Sequence, residues 1–403
     1  MGAVEATEQP IEDEAHALRR LVARYDATVF DVGRPHVRLR THIGDSVVYD
    51  IVIEDAEARL ESPRHGPDAT LSADAETWSQ IVDDVRGGME AFRQGRLRVR
   101  RDLHLGVGFL AATALPQKQS NGEGRLRVRR VQTAAGGVST IEAGTGEPVL
   151  MLHGLGATKA SFLPTLDALA PSYRAIGVDL PGFGDSDKPL FGAYDPAFFA
   201  RAVIALLDAL ELDSAHVVGN SMGGRVALEL GLSHQDRVRR LVLLAPSMSW
   251  LRSRPWAPYL RWVPTQLGIF QPAPRPLIER IVKQVVPGSD TEWTAAGIDE
   301  FMRSYLSPLG RAAFYAAARN IYLEAPRGPN GLWTRLGQLQ PEALFVWGRK
   351  DTLVPIAFER HVRKELPTAQ HLELDCGHVP QLERPRQTHE AMTRFLASGT
   401  TAD

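Results

Sequence analysis

The stretch Val217-Val218-Gly219-Asn220-Ser221-Met222-Gly223-Gly224-Arg225-Val226-Ala227 constrains this chain more than any other. An apolar run leads through a glycine-crowded turn into a helical sequence. At its centre is the pattern G-x-S-x-G, formed by Gly219, Ser221 and Gly223. A turn of this kind forces the serine into a strained backbone conformation. Only small flanking residues let strand and helix come so close, and the strain lifts the hydroxyl clear of the sheet. A serine hydroxyl is a weak nucleophile at neutral pH. It needs a base, a group that orients the base, and donors for the developing oxyanion. The turn is a catalytic site if those parts occur elsewhere in the chain, and a glycine-rich loop if they do not.

The surrounding pattern alternates strands and helices. Strands are expected at 125–133, 137–143 and 148–152, the last continuously apolar as for a central parallel strand. This strand ends in His153-Gly154-Leu155-Gly156. A helix over 162–170, a strand over 175–178, the turn Asp179-Leu180-Pro181-Gly182-Phe183-Gly184-Asp185-Ser186 and a helix over 196–210 precede the serine turn. A helix over 222–232 and a strand over 240–245 follow it. Such spacing predicts a mostly parallel sheet with right-handed crossovers. From Pro246 to about Leu339 only proline-broken helical fragments occur, with five of the seven tryptophans (Trp250, Trp256, Trp262, Trp293 and Trp333). A segment of this size is too long for a loop and is expected to be an inserted helical cap, 246–339. The alternation resumes at Ala343 and closes with a helix over 384–397, so the core is expected over 125–245 and 340–400.

Two residues in the resumed pattern supply the missing chemistry. Asp351 and His378 each follow a predicted strand, so Ser221, Asp351 and His378 fall at the carboxyl edge of one sheet. Taken singly, an aspartate after a strand is a turn residue and a histidine after a glycine a loop donor. Their joint occurrence in the order serine, acid, histidine makes the turn catalytic.

With the His153-Gly154 turn, the Asp179–Ser186 turn, Trp347-Gly348-Arg349-Lys350-Asp351 and Gly377-His378-Val379-Pro380, the elbow resembles those of the α/β-hydrolase superfamily over about 125–400. The resemblance implies that Ser221 attacks a carbonyl carbon, that His378 is its general base and acid, and that Asp351 orients the imidazole. It implies an oxyanion hole made by the backbone N–H groups of Leu155 and Met222. Epoxide hydrolases and haloalkane dehalogenases of the superfamily need a carboxylate where Ser221 stands, which excludes them. Pro246-Ser247 follows the strand ending at Ala245, so Asp351 is the acid. Asp179 and Asp185 are expected to fix their glycine turn, His153 to brace the oxyanion loop, and Cys376 to be structural.

Residues 11–115 are organised differently, as helix, short alternating strands, helices, strand and closing helix. The order predicts an α+β domain with an antiparallel meander. Its histidines, His16, His36, His42, His65 and His104, lack ligand spacing, and no metal is expected. Pro67-Asp68-Ala69-Thr70-Leu71-Ser72, a helix, and Gly88-Met89-Glu90-Ala91-Phe92-Arg93-Gln94-Gly95-Arg96-Leu97-Arg98-Val99 together resemble the SCP2-like sterol carrier family. That resemblance implies an apolar tunnel for a fatty acid or sterol; a folding or dimerisation module is the alternative. The chain departs from the family at Arg101-Asp102, where a glycine usually precedes the aspartate. A polar linker, 116–124, separates the two domains.

Composition narrows the partners. A net charge of −2 gives no electrostatic reason to expect nucleic acid. The single cysteine, Cys376, forbids an internal disulfide. No apolar run is long enough for a transmembrane segment, and the acidic start lacks the features of a signal peptide, so a cytoplasmic protein is expected. No cofactor is expected. The elbow Gly-Asn-Ser-Met-Gly-Gly is similar to that of the meta-cleavage product hydrolases, which split carbon–carbon bonds, and also occurs in esterases and lipases. The carbon–carbon hydrolases usually carry tryptophan directly after the histidine, where this chain has Val379. The leading expectation is therefore a serine hydrolase for apolar or acyl-lipid esters. Carbon–carbon hydrolysis, or a lipid carrier with an idle hydrolase domain, are the alternatives.

Overall fold

The computed structural model describes residues 15–30, 32–45, 47–83, 88, 91–92, 94–114, 126–251, 264–270, 274, 276–277, 279–280 and 292–398. The expected linker 116–124 and part of the expected cap, with Trp256 and Trp262, lie outside them. The described residues divide into two compact units, one from the ranges Met1–Arg129 and Asp290–Asp299, the other from Arg130–Ser289 and Glu300–Asp403.

The first unit holds α1 (His16–Val22), β1 (His36–Ile43), β2 (Val47–Glu54), β3 (Glu57–Glu61), β4 (Ala69–Ala73), α2 (Ala75–Asp83), β5 (Arg98–Arg100) and α3 (Leu103–Ala112). Its sheet has the order β3-β2-β1-β4-β5. The expected antiparallel meander is formed by β1, β2 and β3, and the structure corrects it at β4, which pairs with β1 in parallel. Leu39, Thr41 and Ile43 stand beside Ala69, Leu71 and Ala73, and all six are buried. Alternation in the sequence tells which face of a strand is covered, but not which strand lies next to it. Leu18 and Leu21 of α1, Trp78 and Ile81 of α2 and Phe109 of α3 are fully buried in this unit. Arg101, at the position where the family resemblance leads one to expect glycine, has a left-handed backbone with φ 71°. Its guanidinium donates to the Pro67 carbonyl at 2.6 Å, a tie that glycine could not make. The next residue, Asp102, caps α3 by accepting from the Leu105 N–H at 3.1 Å.

The second unit is built on an eight-stranded sheet of order β13-β12-β11-β10-β8-β9-β7-β6. Its strands are β6 (Arg127–Thr133), β7 (Gly136–Ala143), β8 (Pro148–Leu152), β9 (Arg174–Val178), β10 (Ala215–Asn220), β11 (Val238–Leu244), β12 (Glu342–Gly348) and β13 (Gln370–Leu374). From β9 through β8, β10, β11 and β12 to β13 every pairing is parallel. β7 runs antiparallel to β9. Val149, Leu150, Met151 and Leu152 of β8 have no exposed surface, as a strand covered on both faces requires.

The helices of this unit are α4 (Leu163–Leu169), α5 (Pro196–Ala209) and α6 (Met222–Ser233), then α7 (Glu292–Tyr305), α8 (Pro308–Tyr322) and α9 (Leu332–Arg335). The first turns of α7 belong to the other unit's ranges. The last helices are α10 (Glu359–Glu365), α11 (Pro380–Glu383) and α12 (Pro385–Ala397). The described residues between β11 and β12 form helices and no strand. Asp195 caps α5 through the Phe198 N–H at 2.7 Å, and Ser307 caps α8 through the Gly310 N–H at 3.0 Å.

Candidate active site

Ser221 sits between β10 and α6 with φ 53° and ψ −115°, the strained conformation expected of the serine in such a turn. The flanking glycines explain how the turn fits. A Cβ at Gly219 would overlap the backbone of Gly223, and one at Gly223 would overlap the Leu152 carbonyl of β8. Strand, turn and neighbouring strand are thus packed backbone to backbone, and the side chain at 221 is left half-buried at the sheet's edge.

The sheet brings the other two residues to it. His378 Nε2 lies 2.7 Å from Ser221 Oγ, and His378 Nδ1 lies 2.7 Å from Asp351 Oδ2. Asp351 is held in turn by its other oxygen. Oδ1 accepts from the backbone N–H groups of Leu353 at 2.8 Å and Val354 at 2.9 Å. Oδ2 is therefore directed at the imidazole, which places a proton on Nδ1 and leaves Nε2 to accept from the serine. Both partners are buried, so their interaction is little screened by water.

The loop that follows β8 runs close beside the serine. A Cβ at Gly154 would lie 3.3 Å from Ser221 Cβ, so the backbone leading into the half-buried Leu155 passes beside the serine. Met222 opens α6, where the first N–H groups of a helix have no partner within it. These are the two residues from which the sequence leads one to expect the oxyanion donors. His153 holds this loop from behind. The Leu180 N–H donates to its Nε2 at 3.0 Å, so Nδ1 carries the proton and donates to the Gly154 carbonyl at 2.7 Å. Complete burial pushes its pKa down and keeps the ring neutral.

Asp179 ties the glycine turn to Lys159, which follows the loop after β8. Its carboxylate accepts from the Lys159 N–H at 2.7 Å, the Lys159 ammonium at 2.6 Å and the Asp185 N–H at 2.9 Å. Burial is the largest influence and would raise its pKa, but the Lys159 charge, with help from His153 and the Asp185 N–H, holds it below the usual carboxylate range. Cys376 is buried, and burial pushes its thiol up to about 12, so no thiolate forms at neutral pH.

Three contributors escape a reading of the sequence. Glu383 accepts from the Gly377 N–H at 2.7 Å and the Val379 N–H at 2.9 Å, clamping the backbone on both sides of His378. Asn220 Nδ2 donates to the Leu244 carbonyl at 3.0 Å and the His378 carbonyl at 3.2 Å, tying the histidine loop to the elbow. Ser247 donates its N–H to the Ser221 carbonyl at 2.9 Å and sets its Oγ 3.4 Å from Ser221 Oγ. The spacing His378-x-x-x-x-Glu383 is a local signal for the first; the other two are products of strand pairing. Among the described residues, no group of three or more His, Cys, Asp or Glu side chains is placed to hold a metal ion.

This geometry suits acyl transfer: a serine hydroxyl against an imidazole, a carboxylate on the far side of that ring, and a backbone loop beside the serine. A family model described as alpha/beta hydrolase fold matches residues 147–275, and one described as SCP-2 sterol transfer family matches 13–110. The chain is similar to the 2-hydroxy-6-oxo-6-phenylhexa-2,4-dienoate hydrolase of Burkholderia cepacia. The two are 31% identical over 276 residues, which cover 64% of this chain and 90% of that protein. It is 29% identical, with the same coverages, to the 2-hydroxy-6-oxononadienedioate/2-hydroxy-6-oxononatrienedioate hydrolase of Comamonas testosteroni. Among solved structures it resembles a membrane phospholipase A described as a bacterial virulence factor, at TM-score 0.57 and 25% identity. That likeness covers 69% of this chain and 87% of the phospholipase chain.

Proposed function

This chain belongs to the α/β-hydrolase family and carries an SCP2 domain, and on that premise we propose that it is a serine hydrolase of carbon–carbon bonds in ring-cleavage products of the 2-hydroxy-6-oxo-dienoate type. The observation that carries this reading is the similarity, over 90% of their length, to two proteins named for hydrolysis of such acids. The elbow Gly219-Asn220-Ser221-Met222-Gly223-Gly224 is in keeping with it.

Ser221 Oγ attacks the ketone carbon while His378 Nε2 takes its proton. The N–H groups of Leu155 and Met222 receive the oxyanion. The dienol first passes its hydroxyl proton to the carbon beside the ketone; collapse of the tetrahedral intermediate then breaks the carbon–carbon bond, and the electron pair passes through the remaining double bond onto the 2-oxo oxygen of the departing acid. The imidazolium, steadied by Asp351, returns the proton to the departing acid. Water activated by the same imidazole then releases the acyl group.

Ester cleavage is the second reading, and Val379 favours it, since it stands where the carbon–carbon hydrolases usually carry tryptophan. The acyl-enzyme is the same; only the leaving atom differs. For the first unit we propose a fatty acid or sterol ligand, in keeping with its SCP2 identity. Among the described residues no helix is long and apolar enough to cross a membrane.

The deciding measurement sets loss of dienone absorbance against release of p-nitrophenol from esters, with Ser221→Ala as the control. Turnover of the dienone acids, absent in Ser221→Ala, is expected. Turnover of esters alone moves the assignment to the second reading. Failure of a fluorophosphonate to label Ser221 sinks both.

A further inference from the structure

Behind the oxyanion loop lies a cluster of charges that the triad does not use. Asp185 stands at its centre. Its Oδ2 accepts from the Lys159 ammonium at 3.2 Å. The guanidinium of Arg303, on the last turns of α7, meets the same carboxylate as a fork, with Nη1 2.7 Å from Oδ1 and Nη2 3.1 Å from Oδ2. Arg303 also reaches Glu300 one turn back, at 2.5 and 3.3 Å. Glu300 and Lys159 are buried, while Asp185 and Arg303 are half-buried, so the cluster is partly open to water.

The neighbours of Arg303 on α7 show what the fork holds in place. Phe301 stacks on Tyr305 with ring centroids 5.1 Å apart, and Phe314 of α8 meets both edge-on at 5.6 and 5.1 Å. This aromatic group rests on the oxyanion loop. A Cβ at Gly156, the residue after Leu155, would overlap the Phe301 ring and lie 3.1 Å from Phe314. Phe301 and Phe314 are only half-buried, while Tyr305 beneath them is buried. Apolar contact alone is non-directional and would let α7 slide along the loop. A bidentate guanidinium–carboxylate pair fixes both distance and angle.

We propose that Arg303 is a specificity-determining positioning residue: through its fork on Asp185 it sets the height of Phe301 and Phe314 above the oxyanion loop, and so the length of apolar acyl group accepted beside Ser221. The inference rests on the reading of Ser221 as the nucleophile of an acyl-transfer site. It adds to that reading the group that measures the acyl part. A charge pair of this kind adds little net stability compared with an apolar pair of the same shape, so its replacement acts on geometry first.

The test uses the full chain with Arg303→Met, Arg303→Lys, Asp185→Asn and Phe314→Leu. For each, kcat and KM are measured along a series of p-nitrophenyl esters of increasing acyl length. If the wild type turns over only dienone acids, the series is built on the acyl substituent of those acids. Thermal midpoints and the rate of Ser221 labelling by a small fluorophosphonate are recorded alongside. Arg303→Met and Asp185→Asn are expected to raise KM for the preferred length on the order of tenfold, to shift the optimum, and to leave labelling nearly unchanged. Arg303→Lys restores part of the profile, and Phe314→Leu shifts the optimum in the same direction. Equal loss at every length, or an unchanged profile at wild-type labelling, overturns the inference. If Arg303→Met does not fold, Arg303→Lys and Phe314→Leu decide it by the same criterion. Absence of labelling in the wild type overturns the reading of the site itself, which is a separate outcome.

Discussion

His378 and Asp351 are joined by a single contact of 2.7 Å between Nδ1 and Oδ2, while the other Asp351 oxygen is occupied by the Leu353 and Val354 N–H groups. The carboxylate thus has one free direction, and it points at the imidazole. An Asp351→Asn variant keeps the shape and reverses the demand: its amide N–H facing Nδ1 favours the wrong tautomer. We expect kcat to fall by roughly 10⁴ with KM little changed. Steady-state kinetics on whichever substrate the wild type hydrolyses reads this, and a loss below tenfold would mean that Asp351 is not the orienting acid.

Glu383 makes a second claim on His378, through the backbone rather than the ring. Its carboxylate bridges the N–H groups of Gly377 and Val379. Glu383→Ala frees the loop that carries the imidazole. We expect a loss in kcat of about ten- to a hundredfold, from misplacement of a base that is itself intact. Glu383→Gln, which keeps one acceptor oxygen, should fall between. Wild-type kcat in Glu383→Ala refutes the clamp.

Gly223 tolerates no side chain, because a Cβ would overlap the Leu152 carbonyl of the neighbouring strand. Strand backbone cannot yield as a flexible side chain would. Gly223→Ala is expected to cost on the order of 3 kcal/mol, seen as a lowered urea midpoint, together with loss of Ser221 labelling. An active variant of normal stability would show that the elbow is looser than its packing indicates.

Stability should decline in two steps on acidification. His371 and His389 are pushed down to about 4, chiefly by burial. Each is more readily protonated in the unfolded chain, where the ordinary value is 6.5, so stability is lost as pH falls from about 6.5 to 4. Glu229 acts in a lower window. Burial would raise its pKa, but Arg335, Arg225 and Ser233 hold it at about 2. Its contribution is complete above the ordinary 4.5 and disappears between there and about 2. His389 is worth on the order of 3 kcal/mol at most, and His371 and Glu229 less, because solvent screens them. Urea unfolding at pH 7, 5.5 and 4 is expected to show the first decline, and His389→Gln to reduce it. A flat profile between pH 7 and 4 refutes the assignment to these histidines.

Much of the site is legible in the sequence because its parts are local. The elbow needs glycines at fixed offsets from Ser221, and each partner needs only to follow a strand. The strands over 148–152, 215–219 and 370–374 announce themselves by continuous apolar runs or alternation, and the structure places them within a residue of those bounds. The neighbour of β1 was not legible, because Leu39, Thr41 and Ile43 can lie equally well beside any strand with the same alternation. Nor was the role of Asp185. As a turn residue it needs no partner from 118 positions away, yet Arg303 supplies one.

By itself the sequence supplied the candidates for the chemistry: a serine at the centre of the elbow where other branches of the superfamily need a carboxylate, and an aspartate and a histidine that each follow a strand. These follow from residue type and order, which no packing can alter. Only the tertiary structure decided the distances that make the chemistry work. The 2.7 Å contacts of His378, the Glu383 clamp and the Arg303 fork join segments far apart in the chain or on different elements. Their meeting depends on strand order and helix packing, and these are set by the whole buried core rather than by any local pattern.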